Sequence, residues 1–287
     1  LVRGGLISIR EALHSLTPME QQAARYMLDY PESAVGCSIQ KLAKEADVSE
    51  ATIIRLAQSL GYQGFKELKL AIVANVAVER SEQHPYRQFQ VDGPTESLLE
   101  SISNNNIKSI KDTLMVLDAA QVEQAIGLLS EARKIAIFGI ESSAVIADDF
   151  RHKASRLGMW CEVGASEDAQ AIIAANLTEG DAVLAISYSG QTEAVLRAME
   201  IAKRRGARLI SLTQFGVNPV AQIADIPLFC STVEKDFRNG AMASRIAQLN
   251  VIDMLYVGLV QHNYEGHIET LNRTKEAVRY ARNKSSH

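Results

Sequence analysis

Two hydrophobic rhythms divide this chain. Up to about residue 80 the apolar residues recur every three or four positions, as on one face of a helix. From Lys134 onward they come as short unbroken runs, "KIAIFG", "AVLAIS", "RLISLT" and "IPLFC", separated by amphipathic stretches. The first rhythm predicts a cluster of short helices. The second predicts strands buried on both faces, alternating with helices, which is the grammar of a parallel sheet with right-handed crossovers.

The helical part carries its own punctuation. Thr17-Pro18-Met19-Glu20 offers Thr as N-cap, Pro at the first helical position and Glu three residues after the cap. That helix is predicted to end near Tyr30, because Pro31 cannot continue it. Ser38 caps a second helix with Ile39, Leu42 and Ala43 on one face. "ADVS" is a tight connection, and Ser49 caps a third helix from Glu50 to Leu60, stopped at Gly61. Helices this short are stable only as a packed cluster. Residues 81–96, "SEQHPYRQFQVDGPTE", are polar, hold two prolines and a glycine, and show no period, so they read as a linker. A charged helical stretch follows from about Ser97 to Ala132, then the strand–helix alternation, with "MWCEV" as a further strand and final helices at Ser244–Gln261 and His267–Arg282. The expected organisation is a helical domain over 1–80, the linker, and an α/β domain over 97–287.

In a parallel α/β sheet, ligands bind beyond the carboxyl ends of the strands. There the run "AVLAIS" breaks into Ser187-Tyr188-Ser189-Gly190-Gln191-Thr192, and an amphipathic helix starts at once. Free N–H groups and the positive end of the helix dipole make such a place an anion site, with phosphate the natural occupant. The loop holds no Lys and does not follow GxxxxGK[ST], which argues against a nucleoside triphosphate. A second loop, "IFGIESSAVIADD", repeats the design with Gly139, Glu141, Ser142 and Ser143. Two readings stay open on these residues alone: the serines are helix N-caps, or the two loops converge on one phosphorylated ligand.

The segment "SIQKLAKEADVSEATIIRLAQSLG" is helix, short turn, helix. Wound at about 100° per residue, its last helix gathers Ile53, Leu56, Ala57 and Leu60 on one side, with Ile54 at the edge, and Ala51, Thr52, Arg55, Gln58 and Ser59 on the other. That fits either a plain helical hairpin or a helix-turn-helix whose second helix enters the major groove. In the latter, Ser49 caps the helix or meets phosphate, Thr52 and Arg55 reach base edges, and Lys41, Lys44, Lys66 and Lys69 meet phosphates.

Composition changes this picture little. With 47% apolar and 22% charged residues over 287 positions, the chain can bury a sizeable core. The net charge of −4 gives no global attraction to nucleic acid or acidic membranes, so a DNA-binding surface must be a local patch. Cys37, Cys161 and Cys230 are isolated and read as structural thiols. The histidines show no metal-ligand spacing, and neither a metal nor another cofactor is expected. No apolar run reaches the roughly 18 residues of a membrane span, and charges at Arg10 and Glu11 break the pattern of a signal peptide. A cytoplasmic protein without a membrane partner is the expectation.

"ISYSGQTEAV" with "FGIESSA" resembles the sugar isomerase (SIS) domain over about residues 120–265, and "VSEATIIRLAQSLGYQGFKELK" is similar to the DNA-binding region of RpiR-type bacterial transcription regulators. The order of the two matches that family. The resemblance implies an all-α helix-turn-helix domain joined to an α/β domain of flavodoxin-type three-layer form. It also implies a phosphosugar effector held by Ser187, Ser189, Gly190, Gln191 and Thr192, with sugar contacts from Ser142 and Ser143. Ser244 and Arg245, at the start of a late helix, are further effector candidates. The "ISLTQF" stretch and the early glycine pair resemble members that sense N-acetylmuramic acid 6-phosphate or related amino-sugar phosphates. One recognition helix per chain implies a homodimer or larger assembly on an inverted-repeat operator. One departure stands out: Glu141 occupies the second glycine of the GxGxS pattern usual in the first loop, and it can bond a sugar hydroxyl or amide or repel a phosphate. The rival class is a phosphosugar isomerase or lyase, with Glu141, His152, Glu162 and Glu234 as acid/base candidates.

Overall fold

The computed structural model describes residues 4–81, 94–231 and 242–284. By its internal contacts the chain divides into two compact units. One comprises Leu1–Leu117 with Gln214–Val217 and Phe229–Ala247, and the other Asp118–Thr213, Asn218–Leu228 and Gln248–His287. Most of the expected linker, and Glu234, lie outside the described residues.

The first unit is built from short helices: α1 (Gly5–Ala12), α2 (Pro18–Asp29), α3 (Pro31–Gly36), α4 (Ile39–Glu45), α5 (Glu50–Ser59), α6 (Phe65–Ser81) and the longer α7 (Thr95–Val116). Their starts follow the sequence closely. Thr17 and Glu20 form a reciprocal capping box at α2, and Ser38 and Ser49 cap α4 and α5 with their side chains. Pro31 ends α2 and also opens α3 as its first residue, where its missing N–H costs nothing. Leu42, Ile53, Leu56, Leu68 and Ile72, all fully buried, form one core with Ala23, Ala24 and Met27 of α2. Burying each of the larger side chains contributes about 1.5–3 kcal/mol, which is what holds such short helices together.

The second unit opens with α8 (Ala119–Glu131), started by the Asp118 side chain, so the predicted helical stretch over 97–132 is two helices. The sheet strands are β1 (Ile135–Phe138), β2 (Cys161–Gly164), β3 (Ala182–Ile186), β4 (Arg208–Gln214) and β5 (Ile226–Cys230). Between them run α9 (Ser142–Arg156), α10 (Glu167–Ala175), α11 (Glu193–Arg204) and α12 (Pro219–Ile223), and after them α13 (Met242–His262) and α14 (Tyr264–Lys284). The strand order is β2-β1-β3-β4-β5, and β1 runs parallel to both β2 and β3. This is the doubly wound order expected of a flavodoxin-type sandwich. Every residue of β1 and β3 is buried, as their unbroken apolar runs require. Ala136, Phe138, Val183 and Ala185 meet α10 and α11 on one face, and α9 packs on β1 and β3.

Burial pushes the Cys161 thiol up to about 12, only partly offset by Arg151, and pushes Cys230 up as well. Both are protonated, unreactive thiols, in keeping with a structural role. Among the described residues, no helix is long and apolar enough to cross a membrane, and no His, Cys, Asp and Glu gather as a metal site.

Candidate functional site

The helical head presents one polar helix face. The α4–α5 turn passes through Asp47 at φ 52°, a left-handed conformation that Asp tolerates. Val48 N donates to Ala43 O at 2.9 Å to close it, and Gln22 Nε2 of α2 donates to Ala46 O at 3.0 Å. Ser49, Arg55, Gln58 and Ser59 are exposed along α5, with Lys41 and Lys44 exposed on α4 and Lys66 on α6. Two residues depart from the expectation. Thr52 is only 3% exposed, because it lies one turn before Leu56 on the packing side, and its hydroxyl sits 2.9 Å from Ser49 Oγ. Ile54, placed by the sequence at the edge of the packing side, is exposed instead. Lys69 is half-buried and donates to Cys37 O at 2.8 Å, closing the end of α3.

The seating of α5 depends on a carboxylate in α2. Glu20 accepts from Thr17 N at 3.0 Å, from Thr17 Oγ1 at 2.7 Å and from Ser59 Oγ at 3.2 Å. Burial by itself would raise its pKa. The hydrogen bonds from Thr17 and Ser59, with the Arg55 charge nearby, outweigh that and hold it below the usual carboxylate value.

The second candidate lies in the sheet. In sequence β1 is followed by β2 on one side of it and by β3 on the other, so the order in which strands are added across the sheet reverses at β1 while the strands β1 and β3 stay parallel. That is the topological switch point, where doubly wound folds leave a crevice beyond the strand ends. Phe138 pairs with Ala185, so the loops after β1 and β3 leave the sheet side by side. These are the two hydroxyl-bearing loops.

The helices that follow the strands differ in how they are capped. The helices after β2 and β4 are capped by side chains, with Ser166 Oγ accepting from Ala169 N and Asn218 Oδ1 from Ala221 N. The helices after β1 and β3 are not: neither Glu141 nor Thr192 caps with its side chain. At α9 the first-turn N–H groups of Ser143 and Ala144 donate instead to Ile140 O and Glu141 O at 3.1 Å each, so α11 is the helix beside the switch point whose first turn stays open to another acceptor. In the β3 loop, Ser187 Oγ and Thr192 Oγ1 lie 2.8 Å apart, Gln191 N donates to Ser189 Oγ at 3.2 Å, and Gly190 N donates to Ser187 O at 3.1 Å. Ser189 and Gln191 are exposed while Ser187 is buried. Gly190 has φ 64°, and a Cβ there would overlap the Asn218 side chain. A nest of donors at a helix start, built on small residues, can hold an anion without a Lys.

In the β1 loop, Ser142 is exposed and Ser143 buried, with Ser143 N donating to Ile140 O at 3.1 Å. Glu141 adopts φ 54°, ψ −120°. This is a backbone region that glycine enters freely and other residues enter at a cost of about 1–3 kcal/mol.

Residues 3–79 match the helix-turn-helix domain of the rpiR family, and residues 128–258 match the SIS domain. An uncharacterised HTH-type transcriptional regulator of Caldanaerobacter subterraneus subsp. tengcongensis is 38% identical over 95% of this chain and 96% of its own. The chain belongs to the RpiR family. The HTH-type transcriptional regulator YbbH of Bacillus subtilis, 32% identical over 98% of this chain and 99% of its own, is a second full-length relative of this RpiR-type regulator. Among solved structures, the Vibrio vulnificus NanR protein complexed with ManNAc-6P shares the fold at a TM-score of 0.61, covering 96% of this chain and 97% of that one at 22% identity.

Two residues of the RpiR-type crevice were missed in the sequence. Asn218 both caps α12 and packs under Gly190, with its Nδ2 donating to Thr213 Oγ1 at 3.1 Å. "VNP" before a short helix was the available signal for the cap. Gln170 of α10 is fully buried and donates to the main chain at the ends of β1 and β2, and no local pattern announces it. Ser244, buried, and Arg245, exposed, open α13 and fall in the first unit. Among the described residues, the acid/base candidates do not gather. Glu162 pairs with Lys134 at 3.6 Å from within β2, and His152 is exposed midway along α9.

Proposed function

We propose that this RpiR-type regulator senses a phosphosugar in the crevice between β1 and β3, and that occupancy changes its hold on operator DNA. The observation that carries this reading is the start of α11 beside the switch point, which has no side-chain cap and is wrapped in the Ser187–Thr192 hydroxyl loop. The phosphate sits at the start of α11, meeting the exposed Ser189 hydroxyl and Gln191 side chain and the open N–H groups of the first helical turn, while Gly190 shapes the turn and the Ser187–Thr192 hydroxyl pair braces it. The sugar lies toward Glu141, Ser142 and Ser143. The NanR protein, of the same fold, binds ManNAc-6P, which supports an amino-sugar phosphate as the effector class.

On the DNA side, Arg55 and Gln58 read bases from α5, while Ser49, Ser59, Lys41, Lys44 and Lys66 contact or position the backbone. A homodimer places two such helices on an inverted repeat. The site is read as sensory and not catalytic, because among the described residues the candidate acid/base groups are dispersed and Glu162 is engaged with Lys134. A two-state element biased by ligand is sufficient for the coupling.

The test is retention of fragmented genomic DNA by the purified full chain across a salt series, with and without sugar phosphates. The expected result is a specific fragment whose retention falls steeply with salt and changes when a sugar phosphate, but not its free sugar, is added. Retention that ignores every sugar phosphate would remove the sensing half of the proposal.

A further inference from the structure

The β1 loop holds a residue whose conformation works against it. Glu141 sits in a glycine backbone region, is exposed, and its carboxylate has no hydrogen bond or ion pair among the described residues. A glycine would make the same turn without strain, and nothing within the chain rewards the side chain for being there. An observed outlier of this kind, beside a ligand crevice, points to a role in recognition.

The turn is also held from outside. Gly139 is so close to the next helix turn that a Cβ would lie 2.8 Å from Ser143 O. Below it, Gln170 reaches across from α10, and its Nε2 donates to Gly164 O at 2.9 Å and to Gly139 O at 3.4 Å. Its Oε1 is buried and has no partner. A buried amide with an idle oxygen is costly to keep, and both of its contacts are carbonyls that end strands beside the crevice. The amide is retained for its N–H donors, which tie the ends of β1 and β2 together two residues before Glu141.

Charge then decides what Glu141 selects. The start of α11 and its hydroxyls favour the negative end of a ligand. A carboxylate at the neighbouring loop accepts N–H or O–H and favours positive charge, so the crevice is dipolar. We propose that Glu141 is a specificity-determining residue that favours phosphosugars bearing a nitrogen donor on the ring, and that Gln170 is the positioning residue that fixes its turn. This rests on the phosphosugar reading of the crevice above.

The test uses the full-length protein and three ligands that differ at one carbon: glucosamine 6-phosphate, N-acetylglucosamine 6-phosphate and glucose 6-phosphate. Dissociation constants are measured by calorimetry for the wild type, Glu141→Gly, Glu141→Gln and Gln170→Met. Wild type is expected to prefer a nitrogen-bearing ligand over glucose 6-phosphate by about tenfold, the scale of one hydrogen bond to a charged group. In Glu141→Gly that preference collapses, the nitrogen-bearing ligand losing more affinity than glucose 6-phosphate, and the melting temperature rises. Gln170→Met should also close the gap between ligands. A variant that is merely damaged weakens all three alike and leaves the ratio intact, and that result would overturn the positioning role. An unchanged ratio in both Glu141 variants, or a wild type that binds the three equally, overturns the selection by Glu141 and leaves the phosphosugar reading standing. A wild type that binds no sugar phosphate at all removes that reading, and this proposal with it.

Discussion

The hydroxyls of Ser187 and Thr192 stand 2.8 Å apart across the loop that joins β3 to α11, each satisfied by the other. Ser187 is buried and held in the sheet by its own N–H, which donates to Leu212 O at 3.1 Å. Thr192 occupies the N-cap position of α11 yet turns its hydroxyl away from the helix. The pair braces the loop, and the exposed Ser189 and Gln191 are left to face a ligand.

Ser189→Ala separates binding from folding. Ser189 is exposed, and among the described residues its side chain only accepts from Gln191 N within the loop, so stability should change by no more than about 0.5 kcal/mol. Effector affinity should fall about tenfold, the scale of a lost hydrogen bond to a phosphate oxygen. Calorimetry with the effector, and DNA retention without it, check the two halves. Only the first should change.

Gly190→Ala does the opposite and acts through the backbone. The new Cβ meets Asn218 and is forced into a left-handed conformation at φ 64°. The protein should lose more than about 1 kcal/mol in urea unfolding, and effector binding with it. Asn218→Ala, which removes the cap of α12 and the wall behind Gly190, should cost about 1 kcal/mol and weaken effector binding less severely.

Arg55→Ala tests the head. Arg55 is exposed, so the fold should survive, while specific DNA binding should weaken by about 1–3 kcal/mol and lose sequence preference. Lys44→Ala, in contrast, should weaken binding to all sequences and lower the salt slope by about one unit. Operator binding unaffected by loss of Arg55 would displace the recognition face from α5.

Glu20 gives a pH signature. Its folded pKa lies below the ordinary 4.5, so the carboxylate stabilises the head fully above that value and progressively less as pH falls through the folded pKa. Urea unfolding of the wild type should therefore show a loss of stability below about pH 4.5. Glu20→Gln should be less stable at neutral pH and should lack that part of the acid dependence.

Most of the fold was legible because the signals were local. The capping box at Thr17, the caps at Ser38 and Ser49, and the unbroken apolar runs of β1 and β3 each depend on neighbours in sequence. The hydroxyl loops were legible for the same reason. Thr52 was misplaced because helix angle alone cannot show that a small hydroxyl residue is satisfied inward by Ser49. Pro31 reads as a stop from its missing N–H, and its equal fitness to start a helix shows only when the next turn is in view. Asn218 and Gln170 act across the fold, one under Gly190 and the other under Gly139, and such contacts leave no periodic trace.

The central claim is that the loop after β3 is a phosphate cradle serving a DNA-binding regulator. Its most direct test is a thermal-shift series of the full chain against hexose and amino-hexose phosphates, each beside its unphosphorylated sugar. Ligands that bind only the native state raise the melting temperature. The account predicts a rise with at least one sugar phosphate and none with the matching free sugar. An equal rise with both, or no rise with any phosphate, would contradict it.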